Sequence, residues 1–315
     1  MRGLALLLVF VSSFFYPAAL LSADDVPLGF QPWQIVETKT GHVVTFDDLL
    51  TQVNGADVVY LGEEHRNAAH IESAIKVLHG LVARHRRPIV AMEMFGWDGQ
   101  TTLDRYLNDP KMSKENFMHD ARWKENWGGD YSDYAPLVNL ARDRGLPLLA
   151  LNPPRPLVRR VAKEGLANVK DDPDMTRWGM RDEVLYEDGA YHDIILKQLR
   201  SCHAGLADEA YQRIYQASVF RDEGMAKTIS QALHRLSEGG GPIVSYTGGG
   251  HIQYGLPVPN RVARKERRPV RQITVYLQGF DPTRTEEIHA LLREGIADYV
   301  WLTPLSTHGP SGRCL

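Results

Sequence analysis

Two glycine-led turns carry the residues best suited to chemistry. Gly62-Glu63-Glu64-His65 and, far downstream, Gly248-Gly249-Gly250-His251 share the order Gly-x-x-His. Glu93 closes a separate apolar run that begins at Pro88. Glu63, His65, Glu93 and His251 together offer nitrogen and oxygen donors of the kind that Zn²⁺ or Mn²⁺ accepts. With Glu64 left over as a general base toward a metal-bound water, the set would suit a metal-dependent hydrolase.

Strands must deliver these residues to one place. Asp57 to Leu61 reads as a short buried strand that turns at Gly62. A helix follows, with Ile71, Ala74, Ile75, Leu78, Leu81 and Val82 at 3- and 4-residue spacing, and ends in the basic run Arg84 to Arg87, which suits a helix C-terminus. Further strands are expected at Pro88 to Glu93, Leu146 to Leu151 (closing on Asn152), Pro242 to Thr247, Gln272 to Gln278 and Ala297 to Leu302. Strands alternating with helices predict an α/β fold: a central, mainly parallel sheet flanked by helices, with a helical insertion from Pro156 to about Gly205. Parallel strands present their carboxyl ends at one edge, so Glu63, His65, Glu93 and His251 are expected to converge there.

The longest expected helix, Ala207 to Leu236, has an apolar stripe of Ala210, Ile214, Ala217, Met225, Ile229, Leu233 and Leu236, with Arg221 in a core position. A buried guanidinium needs a carboxylate. Asp222 points about 100° away, which leaves Glu63, Glu64 or Glu93; Arg221, Asp222 and Asn152 are therefore expected to support the site. The stretch 97 to 134 holds Trp97, Trp123, Trp127, Tyr131 and Tyr134. These aromatics either pack locally or wall the strand ends. The basic run Arg261, Arg264, Lys265, Arg267, Arg268 and Arg271 reads as a solvated face.

The chain has 315 residues, a net charge of −3 and a pI near 6.5. That balance argues against a nucleic-acid binder. Cys202 and Cys314 are too few for a disulfide framework, although one bridge would fit an oxidising compartment. Arg2, the apolar run Leu4 to Leu21 and Ser22-Ala23 form a secretory signal pattern, expected to be removed before Asp24; an uncleaved anchor is the alternative. The expectation is an exported protein, periplasmic or secreted, with one domain at 24–304 and a disordered tail at 305–315. No cysteine near the cleavage region could accept a lipid.

The residues resemble the ChaN haem-binding uptake family, within the wider Tiki-like and erythromycin-esterase-like group. The resemblance rests on Tyr60-Leu61-Gly62-Glu63-Glu64-His65, Met92-Glu93-Met94-Phe95, Tyr134-Ala135-Pro136-Leu137, the strand end Leu149 to Asn152, Arg221 to Ala226, and Gly248 to His251 with Tyr254-Gly255. It spans roughly residues 40 to 280 and implies an exported α/β protein that binds haem in iron acquisition. Haem iron takes His or Tyr ligands, which makes His65, His251 and Tyr254 the candidates, at the sheet edge or a homodimer interface. A membrane haem receptor or transporter would be the partner. The Tiki-like relatives imply the metal-dependent alternative.

Overall fold

A computed structural model describes residues 29–236 and 240–307. Its frame is one eight-stranded sheet. In chain order the strands are β1 (Ile35–Glu37), β2 (Val43–Val44), β3 (Val58–Glu63), β4 (Arg87–Gly96), β5 (Leu148–Asn152), β6 (Gly240–Gly248), β7 (Gln272–Gly279) and β8 (Tyr299–Thr303). They lie in the order β2-β1-β8-β7-β3-β6-β4-β5. The run from β8 to β5 is parallel, while β1 pairs antiparallel with both β8 and β2. This is the mainly parallel, helix-flanked sheet that the strand–helix alternation predicts.

β3 and β6 are adjacent at the centre. From β3 the chain goes to one side, to β4; from β6 it goes to the other, to β7. The two connections run in opposite directions and put their helices, Ala68–Ala83 and Val258–Lys265, on opposite faces of the sheet. The register sets Gly62 beside Thr247 and Glu63 beside Gly248, so the two Gly-x-x-His segments start side by side.

Side-chain alternation along the strands fills both faces. Val59 and Leu61 of β3, with Val244 and Tyr246 of β6, pack against Ile71, Ala74 and Leu78 of the helix Ala68–Ala83. Val58, Tyr60 and Ile243 face the other way, toward Met225 and Ile229 of the long helix Asp208–Leu233.

Local differences from the expected pattern have physical causes. Gly62 lies inside β3 rather than at a turn. A Cβ there would stand 2.5 Å from Ile252 Cδ1 and 3.0 Å from Gly249 Cα, so the glycine permits close approach of the segment after β6. Arg66, at φ 66°, makes the turn, and Asn67 caps the next helix by accepting from Ala69 N at 3.1 Å. On the long helix Ala210 and Ile214 are only half-buried, whereas Tyr211, Tyr215, Asp222 and Glu223 are buried, because the insertion covers a face the stripe leaves polar. The basic run is not uniformly solvated. Arg261 is fully buried, 3.2 Å from Glu223, and donates to Pro257 O and Tyr186 O.

The signal segment, its cleavage site, Cys314 and most of the tail lie outside the described residues, as does any bridge from Cys202. Among the described residues no helix is long and apolar enough to cross a membrane.

Candidate functional site

β3, β4 and β6 end together, and the expected residues meet there. Glu63, Glu64, His65, Glu93, Arg221 and His251 all line one cleft of about 210 Å³. Three acidic or imidazole pairs organise it.

The first is Glu63 with His65. Glu63 Oε1 lies 2.8 Å from His65 Nδ1. Tyr246 Oη donates to Glu63 Oε2 at 2.6 Å, and Tyr134 Oη to Oε1 at 3.2 Å. Burial raises the Glu63 pKa despite these bonds. At His65 burial opposes the charge, but the Glu63 carboxylate outweighs it and raises the pKa. The His65 side chain is 46% exposed while that of Glu63 is fully buried. The edge of the Trp127 ring system, 4.8 Å away centre to centre at 89°, fixes the imidazole plane.

The second pair is Glu93 with Arg221, joined by a direct hydrogen bond from Nη2 to Oε1. The other oxygen, Oε2, accepts from Thr247 Oγ1 at 2.7 Å and Gly248 N at 2.6 Å. Burial works against ionisation of Glu93, yet His251 and Arg221 hold its pKa well below the usual carboxylate range. Asn152 holds the backbone here, donating from Nδ2 to Glu93 O at 2.7 Å.

The third is His251 with Asp222. Nδ1 lies 2.6 Å from Asp222 Oδ1, and Tyr191 Oη donates to Asp222 Oδ2. Burial disfavours the imidazolium, but Glu93 and Asp222 outweigh it and push the pKa up to about 9. One contact pulls the other way. Arg221 Nη2 stands 2.9 Å from His251 Nε2, and a donor at that distance needs a lone pair on the ring. We favour the raised pKa, because two carboxylates flank this ring; on protonation Nε2 turns its bond to Glu93 Oε1, 3.4 Å away.

The expected convergence is present, but the expected metal sphere is not. Among the described residues no group of three or more His, Cys, Asp or Glu is arranged to hold a metal ion. The reason is Arg221. Its guanidinium donates to Glu93 and stands 2.9 Å from His251 Nε2, where it supplies the positive charge a cation would bring. Glu63 and His65 engage each other. Glu64 lines the far wall, accepting from Gln278 Nε2 at 2.9 Å and Gly279 N at 3.2 Å, so its carboxylate is held rather than poised as a base.

Tyr254 is not part of this cleft. Its Oη donates to Glu294 Oε2 at 2.8 Å, and its ring lines a separate depression of about 520 Å³ with Leu256, Pro259 and Gly295. Its backbone takes φ 58°, pinned by Tyr254 N donating to Ile296 O at 2.7 Å. Of the three proposed haem ligands, His65 and His251 share the cleft and Tyr254 does not.

Tyr246, Thr247 and Tyr191 join the site without a signal singled out in the sequence. Tyr246 could have been found, since it precedes Gly248 by two and so shares that strand face. Tyr191 could not, because its partner Asp222 sits on another helix. The aromatics of 97–134 do both things expected of them. Phe95 and Tyr131 pack on Trp123, while Trp127 and Tyr134 back the strand ends, touching His65 and Glu63.

Comparison with known proteins places this arrangement. The haem-binding uptake (ChaN, Tiki superfamily) family model matches residues 49–262. The chain belongs to this family. The haem-binding ChaN of Campylobacter jejuni, solved with cofacially bound haem, has the same fold, with a TM-score of 0.65 at 18% identity over 85% of this chain and 95% of that one. An erythromycin esterase, EreC, is more distant, with a TM-score of 0.44 at 16% identity over 74% of this chain and 72% of that one. Among curated proteins, RETICULATA-RELATED 5 of Arabidopsis thaliana, a chloroplastic protein, is 27% identical over 277 residues. That match takes in 78% of this chain but 34% of the relative, so the chain spans about a third of that protein's length.

Proposed function

We infer that this protein binds haem as part of an uptake system, and that it is exported to do so. Membership of the ChaN family carries the first half. The charged start and apolar run Leu4 to Leu21 support the second, with a periplasmic or secreted product beginning near Asp24. A homodimer and a membrane haem receptor or transporter are the partners this reading calls for.

Where haem would rest is constrained by size. A cleft of about 210 Å³ falls below the roughly 300 Å³ at which pockets begin to enclose drug-sized ligands. A tetrapyrrole therefore lies on the outside of the molecule. His251 is buried, and its nitrogens are engaged by Asp222, Arg221 and Glu93, so it is a poor axial ligand. Tyr254 fits better. It borders the open depression, and its phenol donates to Glu294 in an exposed position that a tetrapyrrole can reach. Haem would supply an iron that accepts a tyrosine oxygen. The chain would supply the phenol oxygen, and a second copy would cover the exposed porphyrin face.

Titration of purified protein with haemin tests this. A saturable Soret shift retained by the variant with His65→Ala and His251→Ala, measured below its own lowered melting temperature, is the expected result. Loss of the shift in that folded variant would move the iron into the cleft.

One observation favours a second reading. His65 has Nδ1 fixed by Glu63 while the ring is half-exposed to the cleft. A carboxylate–imidazole pair of this kind can take a proton from a water or hydroxyl. This would be hydrolysis without a metal, with Arg221 in place of the cation. Release of 4-nitrophenolate from 4-nitrophenyl acetate, lost in His65→Ala, would support it. Equal rates in wild type and variant would dispose of it.

A further inference from the structure

A second cleft, of about 400 Å³, lies beside the outer edge of the sheet, away from both the polar cleft and Tyr254. Its walls are Trp97 and Trp178, with ring centres 6.3 Å apart and planes inclined at 49°. Trp97 is locked, since its Nε1 donates to Thr228 Oγ1 at 2.8 Å and to Leu151 O at 3.2 Å. Trp178 follows the helix Pro173–Arg177, and the Arg177 guanidinium stands 5.0 Å from its ring centre. The two indoles are in tilted contact and together form one fixed aromatic wall of the cleft.

The floor is the edge strand β5, and it is already satisfied. Gln100 Nε2 donates to Leu148 O at 2.9 Å, and Gln100 Oε1 accepts from Ala150 N at 2.7 Å. This carboxamide takes the place of a ninth strand, so an added peptide strand would find no free backbone groups at these positions. The occupant must therefore be recognised by rings and charge rather than by main-chain pairing.

The charge is one-sided. Arg177 and Arg235 are exposed at the rim, and among the described residues neither has a carboxylate partner. Lys227 is committed to Glu183 at 3.3 Å and to Gly179 O. Asp104 is the acidic residue of the lining, and it accepts from Gln100 Nε2 at 2.8 Å. Two exposed guanidiniums, neither with a carboxylate partner among the described residues, beside two indoles suit a flat apolar body that ends in a negative group.

We propose that this cleft binds a small planar aromatic anion, a one- or two-ring carboxylate, against the joined surface of Trp97 and Trp178 with its charge on Arg177 and Arg235. The site is independent of the haem reading. Its lining includes no His, Tyr, Cys or Met to ligate iron.

Calorimetric titration of the haem-free protein with 2-naphthoate and with the neutral 2-naphthylmethanol tests it. The expected result is one saturable 2-naphthoate site that weakens with added salt and is at least tenfold tighter than for the alcohol. Trp178→Ala and the double change Arg177→Ala, Arg235→Ala should each weaken it at least tenfold without altering the haemin titration. Both arginines are exposed, so an unchanged melting temperature confirms that the variants are folded. Absence of a saturable site, equal affinity for acid and alcohol, or binding unmoved by the variants would each overturn the proposal. If Trp178→Ala fails to fold, the arginine pair alone decides.

Discussion

Arg221 Nη2 bonds to Glu93 Oε1 although 128 positions of chain separate them. The Glu93 side chain is 1% exposed, and the guanidinium that neutralises it also touches the one imidazole at the bottom of the cleft. A single side chain of the long helix thus ties β4 to the segment after β6.

Removing it leaves a charged, buried carboxylate. Arg221→Met is expected to cost about 3 kcal/mol, the lower end of the range for breaking a buried pair, since Arg221 reaches the open side of the cleft. Urea unfolding of wild type and variant measures this, and coincident curves would mean that the pair adds nothing. Arg221→Lys should recover part of the loss, because both contacts come from the single atom Nη2 and a lysine keeps one cationic donor on a differently shaped side chain.

Alkaline stability reports His251. Its pKa in the folded protein is about 9, against about 6.5 in an unfolded chain. A raised folded pKa means that its contribution is complete below about pH 6.5 and lost as pH rises through about 9. The melting temperature of wild type should therefore fall toward that of His251→Asn between pH 6.5 and 9. His65, also raised, adds a loss of the same sign. Glu93 is depressed; its contribution is present above about pH 4.3 and is lost as pH falls through its lower folded value. A gap between wild type and His251→Asn that stays constant from pH 6 to 10 would show a neutral ring accepting from Arg221.

Tyr254→Phe separates the outer depression from the cleft. The substitution removes one hydrogen bond to Glu294, at a cost of about 1 kcal/mol, and should leave the fold intact. Haemin affinity is expected to fall at least tenfold, with loss of the absorption bands of phenolate-ligated iron. An unchanged spectrum would show that the iron ligand is another residue.

Gly62→Ala probes the contact between the two Gly-x-x-His segments. The added methyl meets Ile252 Cδ1 at 2.5 Å and Gly249 Cα at 3.0 Å. Ile252 can rotate but the backbone cannot, so about 1–3 kcal/mol of overpacking is expected. A melting temperature within experimental error of wild type would show that the segment after β6 moves freely.

Much of this was legible in the sequence, for identifiable reasons. Runs such as Pro88 to Glu93 and Gln272 to Gln278 are bounded and strongly apolar, and the sheet rule then places their carboxyl ends together whatever the strand order. Arg221 announced its need for a partner by interrupting a stripe. Its actual role was hidden, because Arg221 can take the charge position of a metal only once the long helix is packed across β4 and β6. Tyr254 was misplaced for a similar reason. Counting from His251 puts it near the cleft, but a left-handed residue and a bond to Ile296 O carry it out of the cleft. Gly62 looked like a turn because spacing cannot distinguish a glycine that bends from one that makes room.

The strand order also sets the sequence of events in folding. β6 lies between β3 and β4, yet it is synthesised long after both. Until it arrives, β4 has one unpaired side and β3, whose neighbours are β6 and β7, has two, so either can be joined by a strand from another molecule. Ribosome-bound or truncated chains ending before residue 240 are therefore those that need a holding chaperone. Closure of the sheet waits on one distant segment, and it brings Gly248 and His251 to Glu63 and His65 in the same step.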